Sequence, residues 1–327
     1  MGVDGFEIRE LTGADVPTAV ALSSAQGFRD RTGFFELVLR TSTCRALAGV
    51  VRGRLIATGV ATANGPVGWL GGIVVDAEFR RRWLGRAVTE ELCRVLRAAG
   101  CVTLSLESTD TGRLLYEAMG FRLATHYHQL QADHLPISPV LPDGAVVRRL
   151  AASDWPAIFE LDRLATAEDR SAPLMVLAAL GSGDVPALGG SGDPATAGGG
   201  SGGSGERPTA AAGGNHSAER PTAGAGGNWV LERDGVLAGF LIPAERAYGA
   251  VIAPRFGDGL YLLDLHRHVV PSDAHVRAGI PDEHGAAWRE LQERGWQETW
   301  RAPRYLLGPD IAWRPDWIWG QINSAMG

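Results

Sequence analysis

The chain has 327 residues, a formal net charge of −6, and 45% hydrophobic and 21% charged residues, enough for two ordinary globular domains. It contains no lysine, so all 31 residues counted as basic are arginine. This excludes mechanisms that need a lysine amine, such as Schiff-base enzymes, P-loop NTPases and protein kinases, and the acidic balance gives no long-range attraction for nucleic acid.

The first ten residues carry acidic side chains and lack the apolar core of a signal peptide, and no stretch approaches about 18 uninterrupted apolar residues. A cytoplasmic chain without a membrane or nucleic-acid partner is the resulting expectation. Cys44, Cys93 and Cys101 are odd in number and show no metal-binding spacing, which predicts buried free thiols and no metal.

In chain order, Phe6 to Leu11 reads as a strand, and Thr12 to Pro17 opens an apolar helix. Cys44 to Val51 and Leu55 to Ala63 alternate as strands around a turn at Arg52-Gly53, and Trp69 to Val75 is a third strand. Leu84 to Ala99 is a helix with Leu84, Val88, Leu92, Val95 and Leu96 on one face. Val102 to Leu106 is a strand, Thr111 is the expected cap of a helix over 112–119, and Gly120-Phe121 ends it. This is an α+β pattern with a mixed central sheet.

Pro136, Pro139 and Pro142 mark a linker over 136–145, after which Val146 to Leu150 and Ser153-Asp-Trp-Pro156 repeat the strand and helix start of the N-terminus. Two tandem halves of one fold are therefore expected, 1–135 and 146–327. The second is interrupted at 181–228 by a Gly/Ala-rich insert that reads as flexible and contains two copies of a 13-residue unit, Glu206 to Asn215 recurring as Glu219 to Asn228. Beyond it, 229–242 reads as a hairpin turning at Asp234-Gly235, 259–270 as a helix, 276–280 as a strand and 282–294 as a helix closed by Gly295-Trp296.

The segment Ile73-Val-Val-Asp-Ala-Glu-Phe-Arg80-Arg-Arg-Trp-Leu-Gly85-Arg86 carries the chemistry. It is a strand, a basic loop and a helix start, and unpaired N–H groups at a helix N-terminus bind phosphate without lysine. A solvated basic turn is the bland alternative. The segment resembles the acetyl-CoA pyrophosphate motif of the GNAT superfamily of N-acetyltransferases, Arg/Gln-x-x-Gly-x-Gly/Ala. Aligned on the strand, Arg80 and Gly85 take the first and last positions and Trp83 stands where Gly is usual. The strand Leu104 to Thr109 followed by Leu115-Tyr116-Glu-Ala-Met-Gly120-Phe121 resembles a second GNAT signature, and together these matches cover about residues 6–130.

The resemblance implies two tandem GNAT-like domains, each a mixed sheet flanked by helices, with acetyl-CoA or another acyl-CoA as cosubstrate. It implies a cofactor site at Ile73, Val74, Val75, Arg80, Arg81, Arg82, Trp83, Leu84, Gly85, Arg86 and Thr109. It places on Tyr116 the acid that protonates the departing thiolate, and among Ile73, Val74 and Val75 a backbone N–H that holds the carbonyl oxygen. Glu107 at a strand end and Glu36 are alternative bases. His126 and His128 share a strand face and read as solvated, with a base or metal pair as the sharper alternative. In the second half Leu291 stands where the first has Tyr116 and no phosphate motif precedes the helix, so this half resembles the degenerate domain of tandem GNAT proteins, expected to wall the acceptor site or shape a homodimer. The implied activity is N-acylation of a small-molecule amine by direct attack in a ternary complex. A non-catalytic acyl-CoA sensor and a carrier-protein-dependent acyltransferase are the alternatives.

Overall fold

The computed structural model describes residues 3–28, 30–182, 221, 222, 224, 226–244 and 249–327. The first repeat unit and residues 219, 220, 223 and 225 of the second lie outside these residues. Asn228 and Gly226 are described and tied in: Asn228 donates its side-chain N–H to the carbonyl of Ala178 at 3.1 Å, and Gly226 accepts from the Trp229 indole at 3.1 Å.

The first half runs β1 (Phe6–Glu10), α1 (Val16–Ser24), α2 (Thr32–Arg40), β2 (Cys44–Val51), β3 (Arg54–Asn64), β4 (Val67–Val75), α3 (Leu84–Ala98), β5 (Thr103–Glu107), α4 (Asp110–Ala118) and β6 (Arg122–Asp133). The second follows as β7 (Ala145–Arg149), α5 (Trp155–Thr166), α6 (Ser171–Ser182), β8 (Trp229–Arg233), β9 (Val236–Ile242), β10 (Ala250–Ile252), α7 (Phe256–Val269), β11 (His275–Pro281), α8 (Gly285–Glu293), β12 (Gln297–Leu307) and β13 (Ile318–Gly320).

Local chemistry repeats between the halves. Arg9 pairs with Asp15 at 2.8 Å, and Arg148 pairs with Asp154 at 2.7 Å; each aspartate also caps the turn ahead of its helix. The hairpins β2–β3 and β8–β9 both turn through two residues with positive φ, Arg52 and Gly53 at 50° and 79°, Asp234 and Gly235 at 51° and 74°. That conformation matches the twist of the flanking strands.

Strand pairing joins what the duplication would keep apart. One sheet has the order β1-β2-β3-β4-β5-β12-β6-β11 and the other β13-β10-β9-β8-β7. Thus β12 of the second half pairs with β5 of the first, β6 of the first pairs with β11 of the second, and β6 and β12 pair with each other. β12 thus lies between β5 and β6 of the first half, and β6 between β12 and β11 of the second.

The periodicity of α3 has its expected result. Val88, Leu92 and Leu96 are buried in one cluster with Leu104 and Leu106 of β5, each contributing about 1.5–3 kcal/mol of burial, while Leu84 is buried and Val95 half-buried. On the opposite sheet face, α1 and α2 share one core with α5 and α6, through Phe35, Val38, Leu174 and Leu177. Cys44 and Cys101 are buried and free, whereas Cys93 is free but only half-buried.

Candidate active site

The strands β4 and β5 run parallel and are hydrogen-bonded only from Val67–Leu70 to Thr103–Leu106. Beyond Leu70 they part. The cause is local: the β3–β4 register shifts between Thr58 and Val60, and Gly72 adopts φ +58° there, held by a 2.8 Å hydrogen bond from Thr58 Oγ1 to its carbonyl. The bulge turns β4 away, so Gly71 to Val75 border a wedge with no ladder to β5. Ile73, Val74 and Val75 thus lie along one wall.

The wedge opens toward the first turn of α3. Arg81 and Trp83 have φ of 59° and 65°, and Trp83 is the helix N-cap with its indole 65% exposed. The position where the motif usually has glycine therefore has a glycine-like backbone, and its side chain points to solvent rather than into the loop. No acidic residue occupies the first turn of α3, and the two carboxylates just upstream are engaged by Arg54, Asp76 at 2.6 Å and Glu78 at 3.2 Å. The free N–H groups after Trp83, with exposed Arg81 and Arg82, thus form a site suited to a phosphate. Arg86 pairs with Glu90 at 2.8 Å. Arg80 is drawn elsewhere: it donates to the Val75 carbonyl at 3.2 Å and to Gln26, fastening the α1–α2 connection to the end of β4.

Tyr116 lies on α4 across the wedge. Leu115 of the same helix and Val75 of β4 each approach within 3.7 Å of where a Cβ on Gly85 would sit, so α4, β4 and the start of α3 converge. The Tyr116 ring lies over Gly112, where a Cβ would come within 2.7 Å of its Cε2, and meets Phe121 edge-on at 6.0 Å between centroids. Its hydroxyl makes no side-chain hydrogen bond among the described residues. Burial pushes the phenol up to about 12, so it stays protonated at neutral pH. The helix cap is Thr109, two residues earlier than the expected Thr111, and its side chain makes no capping bond.

Glu107 is the last residue of β5, just past the final β4–β5 pair, and shares the strand face of Ser105 rather than that of Leu104 and Leu106. Its carboxylate accepts from Gln129 Nε2 at 2.9 Å and Gln321 Nε2 at 3.0 Å. Desolvation pushes Glu107 above the usual carboxylate range, opposed by bonds from Ser324 and Gln321, by the Arg304 charge and by Gln129. From α2, Phe34 is the residue that reaches the bulge, 3.3 Å from a Cβ placed on Gly72, whereas Glu36 makes no hydrogen bond or ion pair among the described residues.

Residues from the second half complete this face. Ala325 packs on Gly71 so closely that any side chain there would overlap it, and Thr62 and Asn64 donate to the carbonyls of Ala325 and Met326 at 3.0 and 2.8 Å. Glu168 accepts from the Trp69 indole at 2.9 Å, and Arg304 lies between the rings of Trp69 and Trp313 at 4.5 and 4.8 Å while donating to Ser105 at 2.9 Å. Gln129, Gln321, Ser324 and Gly112 carry no motif and were not singled out in the sequence.

The histidine pair does not stand free in solvent: His126 is half-buried with Nδ1 3.5 Å from Asp282, and His128 is buried. His128 is 8% exposed, stacks on Trp288 at 4.9 Å, and places one ring nitrogen 3.1 Å from Asp282 and the other on Glu298. Both carboxylates come from the second half, across the exchanged strands, so the pair fastens the two halves together. Among the described residues no group of His, Cys, Asp and Glu is arranged to hold a metal, and no helix is long and apolar enough to cross a membrane.

Residues 14–121 match the acetyltransferase (GNAT) family model. Over 126 residues the chain is 29% identical to a glucosamine 6-phosphate N-acetyltransferase of Trypanosoma brucei brucei, covering 38% of this chain and 82% of that one. It is 40% identical over 77 residues to a ribosomal-protein alanine N-acetyltransferase of Salmonella typhimurium, 21% of this chain and about half, 52%, of the relative. A crystal structure of a Pyrococcus horikoshii protein of the acetyltransferase class superposes over 100% of this chain and 98% of its own, with a TM-score of 0.71 at 17% identity. A tandem GNAT protein from the clavulanic acid biosynthesis pathway covers 93% and 99%, with a TM-score of 0.59 at 15% identity; at these identities the likeness is one of fold. The wedge, the helix start beside it and the tyrosine across it all lie within the residues that match the GNAT family model, 14–121, and the chain as a whole has the tandem α+β fold of the solved acetyltransferase-class structures.

Proposed function

We propose that the chain transfers an acyl group, acetyl first among them, from acyl-CoA to the primary amine of a small molecule. The observation that carries this reading is the parting of β4 from β5 beside an acid-free helix start, with a protonated tyrosine on the facing helix. The residues fit an acyl-CoA cosubstrate. Backbone N–H groups of Trp83, Leu84, Gly85 and Arg86 hold its pyrophosphate, with Arg81 and Arg82 adding charge, and Thr109 borders the far wall. A wedge wall at Ile73 to Val75 supplies an N–H to the acyl oxygen as negative charge gathers there.

In the reaction a new N–C bond forms to the acyl carbon and the C–S bond breaks. Glu107, directly or through one water, accepts the proton that the attacking amine loses, and Tyr116 donates its proton to the departing sulfur. Burial serves both roles: it raises the carboxylate's basicity and keeps the phenol protonated. The relatives named above act on an amino sugar phosphate and on a protein's alanine, which makes glucosamine 6-phosphate, amino sugars and amino-acid amides the first acceptors to try. The second half, lacking both the phosphate turn and the tyrosine, is the degenerate copy that walls the acceptor side.

A thiol-release assay with acetyl-CoA and such an amine panel tests the reading. Turnover is expected, with Tyr116→Phe lowering kcat by about 100-fold, the low end for loss of a positioned acid. Tight CoA binding with no turnover across the panel, and no effect of Tyr116→Phe, favours a sensor instead.

A further inference from the structure

The carboxylate assigned as base belongs to the first half, yet one of the two amides that hold it, Gln321, comes from the other end of the chain. Gln321 donates Nε2 to one oxygen of Glu107 at 3.0 Å, and Gln129 donates Nε2 to the other at 2.9 Å. The Ser324 side chain adds to the stabilisation of the ionised Glu107, and its backbone carbonyl lies 3.4 Å from where a Cβ on Gly71 would sit. Ser324 thus spans the mouth of the wedge, from the β4 wall to Glu107.

The two glutamines are set for this purpose at a cost to themselves. Gln129 is 1% exposed and Gln321 fully buried, and the Oε1 of each lacks a hydrogen-bond partner among the described residues. Reversing either amide would point a carbonyl at the carboxylate, so Glu107 dictates the orientation and leaves the acceptor unmatched. Buried amides normally satisfy both ends. Their packing is equally specific: a Cβ on Gly279 of β11 would lie 2.7 Å from Gln321 Cγ and 3.1 Å from Gln129 Oε1.

We infer that Gln321 and Ser324, with Gln129, are positioning residues that aim the Glu107 carboxylate, so that the second half completes the first half's active site. This rests on the assignment of Glu107 as base. Without these donors only the Arg304 charge opposes burial, the ionised form is disfavoured, and the acidic limb of the pH–rate profile moves to higher pH.

The test compares pH profiles of kcat and kcat/KM for the full chain and for Gln321→Met, which keeps length and packing, Ser324→Ala and Ser324→Thr, which restores a hydroxyl. Gln321→Met and Ser324→Ala should each move the acidic limb upward and lower kcat at neutral pH about tenfold, the scale of one hydrogen bond to a charge. KM for acetyl-CoA should stay unchanged, and Ser324→Thr should return the limb toward its original place. Melting curves identify a variant that fails to fold, and the other variant then decides. If Glu107→Gln keeps the wild-type limb, the base assignment falls. If Glu107→Gln abolishes the limb while Gln321→Met and Ser324→Ala leave it in place, the positioning role is overturned and the base assignment stands.

Discussion

The two halves began from the same plan and differ most where the first is open. In the first half β4 and β5 part after Leu70 and leave a wedge. In the second, β10 and β11 never pair: β13 inserts beside β10, pairing Val251 with Gly320 and Ile252 with Ile318. Trp319 from β13 is fully buried against the first turn of α7, where any side chain at Gly259 would overlap its indole, and donates its N–H to the Ala253 carbonyl at 3.2 Å. The second half's wedge is filled by the chain's own strand. The same contrast holds at the tyrosine: Gly112 beneath Tyr116 becomes Ala287 beneath Leu291, the latter two fully buried. A bulge and a missing Cβ keep one site open, and an extra strand and an added methyl close the other.

The largest expected effect comes from removing the plug. Trp319→Ala should destabilise the chain by about 3–5 kcal/mol, as large aromatic truncations in cores do. Calorimetric titration with CoA should still give one site per chain, because α7 starts at Arg255 with φ −95° and offers no left-handed turn before it. A second CoA site in this variant would break the comparison.

A smaller effect separates the halves by pH. His266 of α7 is completely buried, neither ring nitrogen has a partner among the described residues, and burial lowers its pKa to about 3. The unfolded chain binds a proton there near pH 6.5, which the folded chain refuses. Stability from this residue is therefore complete above that pH and declines as pH falls toward 3, by roughly 2–3 kcal/mol at pH 4.5. Denaturant midpoints at pH 7 and 4.5 should differ less in His266→Leu than in the parent chain; an unchanged difference rules out His266 as the source.

What was legible in the sequence follows from the range of the forces involved. The hairpins at Arg52-Gly53 and Asp234-Gly235, the amphipathic α3 and the Tyr116 to Phe121 signature are local patterns, and each forms where its spacing placed it. The exchange of β6 and β12 was not legible, because which strand enters the gap beside β5 is decided by contacts between the two ends of the chain. The same cause undid the reading of His128, whose partners Asp282 and Glu298 arrive from the second half. It also hid Gln321 and Ser324, which have no pattern of their own.

The contrast between Gly112 and Ala287 predicts a third change. Gly112→Ala would push a methyl against the Tyr116 ring, costing about 1–3 kcal/mol as overpacking does. The displaced phenol should lower kcat while leaving KM for acetyl-CoA unchanged. Ala287→Gly, under Leu291, should cost about 1–2 kcal/mol through helix propensity and the loss of one buried methyl, and leave kcat untouched. Equal effects on kcat from the two variants would show that the glycine does not seat the tyrosine.

The smallest effect has the opposite sign. Trp83 holds φ 65°, a conformation that costs an L-residue about 1–2 kcal/mol, and its exposed indole contributes little packing in return. Glycine removes that strain but gives the unfolded chain more freedom, a loss of about 0.4–1 kcal/mol. The difference leaves Trp83→Gly more stable by about 0.5–1 kcal/mol, seen as a small rise in Tm, with CoA affinity retained because the backbone N–H groups stay in place. At the corresponding start of α7, Arg255 has negative φ, so Arg255→Gly gains no relief and should lower Tm. If both substitutions move Tm the same way, the left-handed turn is not what distinguishes the open site from the closed one.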